Sequence, residues 1–290
     1  MMSSNLSWKT AFLVASMRLI EQYHPKETRL FDDPIIKHFF SKIILFQMKF
    51  KFIRDMEILF SELMTKGAFG ALICRTRYID DVLTTAMAKG IDQVVILGAG
   101  LDTRPYRIAG INEMKVIEVD LPNMQNIKKE KLQKCLGVLP PHVIFAPIDF
   151  NHQTLDDVLG IQELDLSKPI FFIWEGVTPY ISEAGVMNTL KFISKAPSGS
   201  MVAFSYILKS IIDQTSDIPG ADTILDYFES KSHPWIFGLD PNSLNDFLAS
   251  FHLTLVEDIG ASYYQEHYLK PLNRNLAVSK IERIAYAKKD

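Results

Sequence analysis

The sequence predicts an α/β protein built on a mostly parallel, doubly wound sheet. Three observations carry that reading. Short, β-branched, apolar runs recur after Gly90, as strands buried on both faces require. Helical stretches separate them, and alternation of this kind implies right-handed crossovers and a sheet covered on both sides. The chain has 290 residues, 48% hydrophobic and 22% charged, enough to bury a core without a disulfide or metal staple.

Residues 1–90 read mostly as helix, a cover over the sheet. Thr10 to Tyr23 carries apolar residues at helical spacing, and Pro25 and Pro34 break the pattern. Residues 35–54, IIKHFFSKIILFQMKFKFIR, form another helical stretch with five Lys or Arg residues and no acid. Its apolar residues fall on most faces, which predicts burial between other elements. A membrane-surface or carrier-protein contact is the alternative. A third helix runs from Phe69 to Lys89 and stops at Gly90.

Seven strands follow: QVVIL (93–97), KVIEV (115–119), HVIFAPI (142–148), PIFFIW (169–174), SMVAFSYI (200–207), LTLVEDI (253–259) and ERIAYAKK (282–289). The intervening helices are expected at Asp102 to Ala109, Pro122 to Leu136, Leu155 to Gly160, Ser182 to Ala196 and Asn242 to Phe251. Ser182 starts its helix and Gly199 marks the stop. Residues 208–245 are too long for an ordinary connection and are expected to hold their own helices.

The composition rules out a disordered polymer or a collagen-like fibre. A formal net charge of -3 gives no whole-chain basic excess, so no nucleic-acid partner is expected. Cys74 and Cys135 lie far apart with no C-x-x-C pair, which predicts two buried thiols in a reducing compartment and no zinc site. His142, His152 and His267 form no metal spacing. No signal peptide and no membrane span are read, so a cytoplasmic location is expected. Nothing in the sequence fixes the oligomeric state.

The chemistry concentrates in VVILGAGLDTRPYR (94–107). A buried strand runs into Gly98-Ala99-Gly100, where glycines let the backbone turn and approach a ligand. Ligands of open parallel sheets bind at the carboxyl ends of the strands. The next strand ends in Glu118-Val119-Asp120, and a carboxylate there suits two ribose hydroxyls. A dinucleotide fingerprint would place a third glycine at position 103. Thr103 stands there, and Asp102 beside it would repel phosphate. S-adenosylmethionine carries an ammonium and a sulfonium but no phosphate, so it fits this loop better.

Five motifs in order complete the reading: RTRYIDD (75–81), VVILGAGLDTRPYR (94–107), VIEVDLP (116–122), the Ile148-Asp149-Phe150 strand end and FIWEGVTPYIS (172–182), with LFDDP (30–34) upstream. The chain resembles the leucine carboxyl methyltransferase-like family, and more closely its bacterial branch of S-adenosyl-L-methionine-dependent O-methyltransferases. Matching motifs cover about residues 10–205. The resemblance implies a class I methyltransferase fold, a seven-stranded sheet with one antiparallel strand at the end. It implies one methyltransferase domain over 1–290: a helical cover (1–90), a donor-binding core (91–207), a lid insertion (208–245) and two last strands (246–290). It also implies roles. Arg77 pairs with the methionine carboxylate, and Gly98 gives a backbone contact. Asp120 holds the ribose, Asp149 and Phe150 frame the adenine, and Glu175 lies near the methionine amine.

Each residue has a plainer reading. Arg77 can pair with Asp80 or Asp81 one helical turn away. Asp102 can cap the helix that follows it. Arg104 and Arg107 are expected on a solvated helix face. Asp149 suits an ordinary turn, whereas Glu175 ends a buried strand and needs a partner. No unmistakable general base is present, which favours a carboxylate or acidic phenol as acceptor. Tyr180 and Trp235 are candidates for lining an apolar small-molecule pocket closed by the insertion and by the Phe- and Met-rich stretch 39–64. Two other readings stand beside methyl transfer: a nicotinamide-dependent oxidoreductase, and a non-catalytic S-adenosylmethionine-binding module.

Overall fold

The computed structural model describes residues 2–150, 152–159, 164–230 and 234–290. Seven strands form one sheet in the order β3-β2-β1-β4-β5-β7-β6. They are β1 (Gln93–Leu97), β2 (Lys115–Asp120), β3 (Val143–Pro147), β4 (Phe171–Trp174), β5 (Met201–Ile207), β6 (Leu253–Ile259) and β7 (Glu282–Lys289). β7 alone is antiparallel to its neighbours and inserts between β5 and β6. This is the class I methyltransferase topology that the sequence predicted. The antiparallel strand is last in the chain and penultimate in the sheet.

Alternation along the strands sorts the core into two layers. Val94 and Ile96 of β1 face one layer, together with Phe171, Ile173 and Ala203. Val95 and Leu97 face the other, together with Phe172, Trp174 and Phe204. The first layer packs under α1 (Met2–Glu21) and α4 (Ala68–Ala88), which contributes Ile73, Tyr78 and Leu83. The second packs under helix Glu183–Ile193 through Val186 and Leu190, and under Leu244–Ala249 through Leu244 and Leu248.

Several boundaries follow local chemistry. Gly90 takes φ +88° just beyond α4, as a left-handed stop requires. The Ser182 hydroxyl accepts from the Gly185 amide and starts its helix. α6 spans Pro122–Leu136 as expected, and its proline sits at the first helical position. The helix after β1 is only one turn, α5 (Arg104–Arg107). The helix after β3 is α7 (Leu155–Val158), and its predicted end at Gly160 lies outside the described residues. The insertion holds a turn at Lys209–Ile212 and a helix at Ala221–Ser230, pinned at its base by a bridge between Leu208 and Leu239.

Residues 35–54 depart from expectation. They break into a 3-10 turn (Ile36–Phe39), α2 (Lys42–Gln47) and the start of α3 (Lys51–Met64), separated by extended backbone at Phe40 and Phe50. Ile43, Phe46, Phe50 and Phe52 are exposed rather than buried. A segment with apolar residues on every face cannot bury them all once it is cut into short pieces. Cys74 is buried, but Cys135 is only half-buried on α6.

Candidate functional site

Two cavities adjoin at the carboxyl ends of the strands. The first, about 300 Å³, sits over β1, β2 and β4 and under α1. The chain moves outward from β1 to β2 on one side and to β4 on the other, so the cavity lies at the point where strand order reverses. Gly98, Asp120, Asp149, Phe150 and Glu175 all line it. Arg77 does not.

The loop after β1 is fastened to β2. The Gly98 and Ala99 amides both donate to the Val119 carbonyl, at 2.8 and 3.0 Å. Gly98 has φ +67°, and a Cβ there would lie 2.2 Å from a methyl of Val177. Only glycine fits that position. The Gly100 amide donates to Asp120 Oδ2 at 2.5 Å, and the Leu121 amide donates to Oδ1 at 2.6 Å. Burial pushes the Asp120 carboxyl above its ordinary value, although those two amides and Lys128 pull the other way. Asp149 is partly exposed and meets His152 Nδ1 at 2.9 Å. Phe150 packs against the second core layer.

A buried chain of alternating charge forms and backs one wall, with Arg18, Arg75, Asp102, Arg104 and Glu175 facing the cavity. Arg18 pairs with Asp33 at 2.5 Å, and Arg107 lies between Asp33 and Asp80. Arg104 joins Asp80, Asp102 and Glu175, each at 2.7 Å. Arg75 continues from Glu175 at 2.8 Å to Glu282 at 2.7 Å. Five carboxylates thus meet four guanidiniums, leaving one negative charge in excess. Burial opposes ionisation of Glu175, but Arg104 and Arg75 outweigh it and hold its carboxyl below the usual range. Burial likewise opposes Asp102, and Arg104, Arg18 and Lys128 hold it well below.

This wall corrects two expectations. Arg104 and Arg107 are buried on a one-turn helix, because the carboxylates that pair with them converge there. Arg77 is 40% exposed, pairs with Asp81 at 2.8 Å and donates to the Leu30 carbonyl at 2.7 Å. Residues two apart on a helix point about 200° apart. When Arg75 of RTRYIDD faces the cavity, Arg77 must face away. Asp102 does accept from the Arg104 amide at 2.8 Å, as a cap would, besides its ion pair. Arg18 and Asp33 also escaped the sequence reading; the LFDDP motif was the available signal.

The second cavity, about 150 Å³, shares Thr10, Val14, Arg75, Gly176 and Tyr180 with the first. Its remaining wall is largely apolar and includes Leu13, Met17, Ile207, Ile224, Phe228 and Trp235. Phe228 stacks on Trp235 at 4.8 Å, and Tyr180 meets Phe228 edge-on at 5.7 Å. The rings therefore pack against one another and still line the space. Burial pushes the Tyr180 phenol above its usual range. From the stretch 39–64, Phe60 and Ser61 reach this cavity.

The family model described as leucine carboxyl methyltransferase matches residues 11–194, which include every residue of the charged wall except Glu282. The chain belongs to the leucine carboxyl methyltransferase family. A Streptomyces coelicolor protein named "Putative S-adenosyl-L-methionine-dependent methyltransferase" is 28% identical over 80% of this chain and 81% of its own length. A Bacillus subtilis protein of the same name is 35% identical over 46% of this chain and 44% of its own. Among solved structures, a DUF574 family protein from Streptomyces avermitilis shares the fold with TM-score 0.57 and 16% identity, covering 83% of this chain and 92% of that one. A "putative methyltransferase" from Thermobifida fusca does so with TM-score 0.58 and 15% identity, covering 83% and 89%. The chain is a methyltransferase whose cofactor is S-adenosyl-L-methionine.

Proposed function

We propose that this methyltransferase acts on a carboxylate or phenol oxygen of an apolar small molecule held in the second cavity. The observation that carries the reading is the junction. A polar, charge-walled space opens into an apolar one across Thr10, Val14, Arg75, Gly176 and Tyr180.

The first cavity suits the cofactor on its own chemistry. Asp120 spends one lone pair of each oxygen on a backbone amide, and each oxygen keeps another for a ribose hydroxyl. Four carboxylates line the cavity, Asp102, Asp120, Asp149 and Glu175, against the three arginines Arg18, Arg75 and Arg104, and that excess complements a ligand with an ammonium and a sulfonium. Gly98 leaves room for a close backbone approach, and Asp149 and Phe150, which line the cavity, would frame the base. Glu175 serves the amine end. Arg75 takes the carboxylate role that the family resemblance had put at Arg77, because it faces both cavities. Its Nη2 lies beside Gly176, while Nε and Nη1 hold Glu175 and Glu282.

The cofactor supplies a methyl group already activated by its sulfonium. The protein's task is then alignment and exclusion of water, and orientation of this kind is worth on the order of 7–11 kcal/mol at best. Among the described lining residues, Glu282 is the second cavity's one carboxylate, and both its oxygens accept from Arg75 Nη1. Tyr180 is a poor base with its phenol pushed up. A carboxylate or acidic phenol reaches this site already ionised and needs no base.

The test is methyl release over a panel of fatty and aromatic carboxylates and phenols. Trp235→Ala and Tyr180→Phe are expected to raise the acceptor KM severalfold while leaving cofactor affinity unchanged. A folded protein as the sole acceptor would sink the reading, as would loss of cofactor binding in both variants.

A further inference from the structure

Among the described residues, thirteen large hydrophobic side chains are exposed, and eight of them lie between positions 43 and 63. They are Ile43, Phe46, Phe50, Phe52, Met56, Leu59, Phe60 and Leu63. On α3 they follow helical spacing. Phe52, Met56, Leu59, Phe60 and Leu63 fall within an arc of about 100° and run along about 17 Å of helix. This helix therefore turns an apolar stripe outward, with Phe52 70% and Leu63 71% exposed.

The display is held rigidly from behind. Ile44, Leu45, Ile53 and Ile58 pack on the first core layer. Arg54 closes the turn between α2 and α3 by donating to the carbonyls of Met48 and Lys49, at 2.6 and 3.1 Å, and its guanidinium sits 4.8 Å over the Tyr23 ring. The outward stripe belongs to a fixed element rather than a loosened one.

The charge at the α2 end of the stripe is basic, whereas α3 itself carries Asp55, Glu57 and Glu62 and pairs Lys51 with Asp55 at 2.7 Å. Lys37, Lys42, Lys49 and Lys51 are exposed, and no acid occurs from 37 to 54. The protein as a whole carries a net charge of -3, so this is a local feature. Positions 37–63 hold five Lys or Arg residues against three acids, and an aromatic-rich apolar face with exposed lysines at one end is the chemistry of a helix lying in a lipid interface. We propose that the α2–α3 segment docks on an anionic membrane surface. Phe60 belongs both to the stripe and to the wall of the apolar cavity, so docking would place that cavity's mouth at the lipid. This last consequence rests on the proposed acceptor site, whereas the docking itself does not.

Sedimentation of the full chain with lipid vesicles tests it. One set of vesicles is phosphatidylcholine alone; the other contains phosphatidylglycerol at about one part in three. The protein is expected to pellet with the anionic vesicles. Phe52→Ser/Leu63→Ser should lower partitioning at least about tenfold, because both side chains would sit in the interface. Lys42→Glu/Lys49→Glu should abolish the preference for phosphatidylglycerol. Both variants should keep the parent's unfolding midpoint and its affinity for S-adenosylhomocysteine, which separates this test from that of the acceptor site. The proposal is overturned if the parent stays in the supernatant with anionic vesicles, or if both variants bind like the parent. It is equally overturned if the parent is a dimer that the serine variant dissociates, since the stripe would then be an interface between copies.

Discussion

The polar cavity over β1, β2 and β4 is walled by side chains already committed to one another, whereas the apolar cavity beside it is walled by rings and aliphatic chains held by packing. In the first, Arg104 alone satisfies three carboxylates, and none of them can move without stranding a buried charge. In the second, Tyr180, Phe228 and Trp235 meet at ring-packing distances that small shifts can preserve. A site for an invariant cofactor can be locked by ion pairs. On the proposed reading the apolar cavity takes the acceptor, and surfaces that repack suit that task. The difference gives each cavity its own sensitivity to substitution.

The largest expected effect breaks the locked side. Arg104→Met takes one partner from Asp80 and one from Glu175, which keep Arg107 and Arg75, and strands the buried Asp102. Removing one partner of a buried pair costs about 3–5 kcal/mol, so urea unfolding should show a loss of that order. A loss below about 1 kcal/mol would mean that water already reaches those carboxylates.

The next effect separates the two arginines of one motif. Arg75→Lys is expected to weaken S-adenosylhomocysteine about tenfold, more than it weakens methylthioadenosine, which lacks the carboxylate that a guanidinium fork suits. Arg77→Lys should leave both affinities near the parent's. Equal losses for both ligands in Arg75→Lys would reduce Arg75 to a structural tie between Glu175 and Glu282.

A smaller effect appears with pH. Glu175 and Asp102 are held below their ordinary values, so the stability they contribute is complete above the unfolded carboxylate range and is lost only as pH falls beneath it. Asp120 is shifted up by burial, so it takes a proton first. Cofactor affinity should therefore decline on acidification while the fold is still intact. Calorimetry and near-ultraviolet circular dichroism over the same pH series check this. Affinity that holds until the protein unfolds would contradict it.

The same contrast explains how much was legible in the sequence. β1, β6 and β7 begin and end where their apolar runs do, because strand periodicity is a local signal. Gly98, Asp120, Asp149, Phe150 and Glu175 were placed by motifs at strand ends, and the fold brings those ends to one edge. Arg75 rather than Arg77 faces the cavity because RTRYIDD offers two arginines and only the packing of α4 chooses between them. Arg104 and Arg107 read as surface residues because their partners Asp80 and Glu175 lie 24 to 71 positions away. The exposed stripe of α3 was hidden for a similar reason. A sequence shows which residues are apolar, but not which face a neighbouring helix already occupies.

The most direct measurement is a calorimetric titration with S-adenosylhomocysteine of two variants side by side, one from each cavity. Asp120→Ala removes the carboxylate fixed between the Gly100 and Leu121 amides. Charged hydrogen bonds of this kind are worth roughly 1.5–3 kcal/mol, so its affinity should fall at least about tenfold with the fold retained. Trp235→Ala should stay within about twofold of the parent, a difference of under about 0.5 kcal/mol. If Asp120→Ala binds like the parent, or if the two variants lose affinity equally, the division of labour between the cavities is wrong.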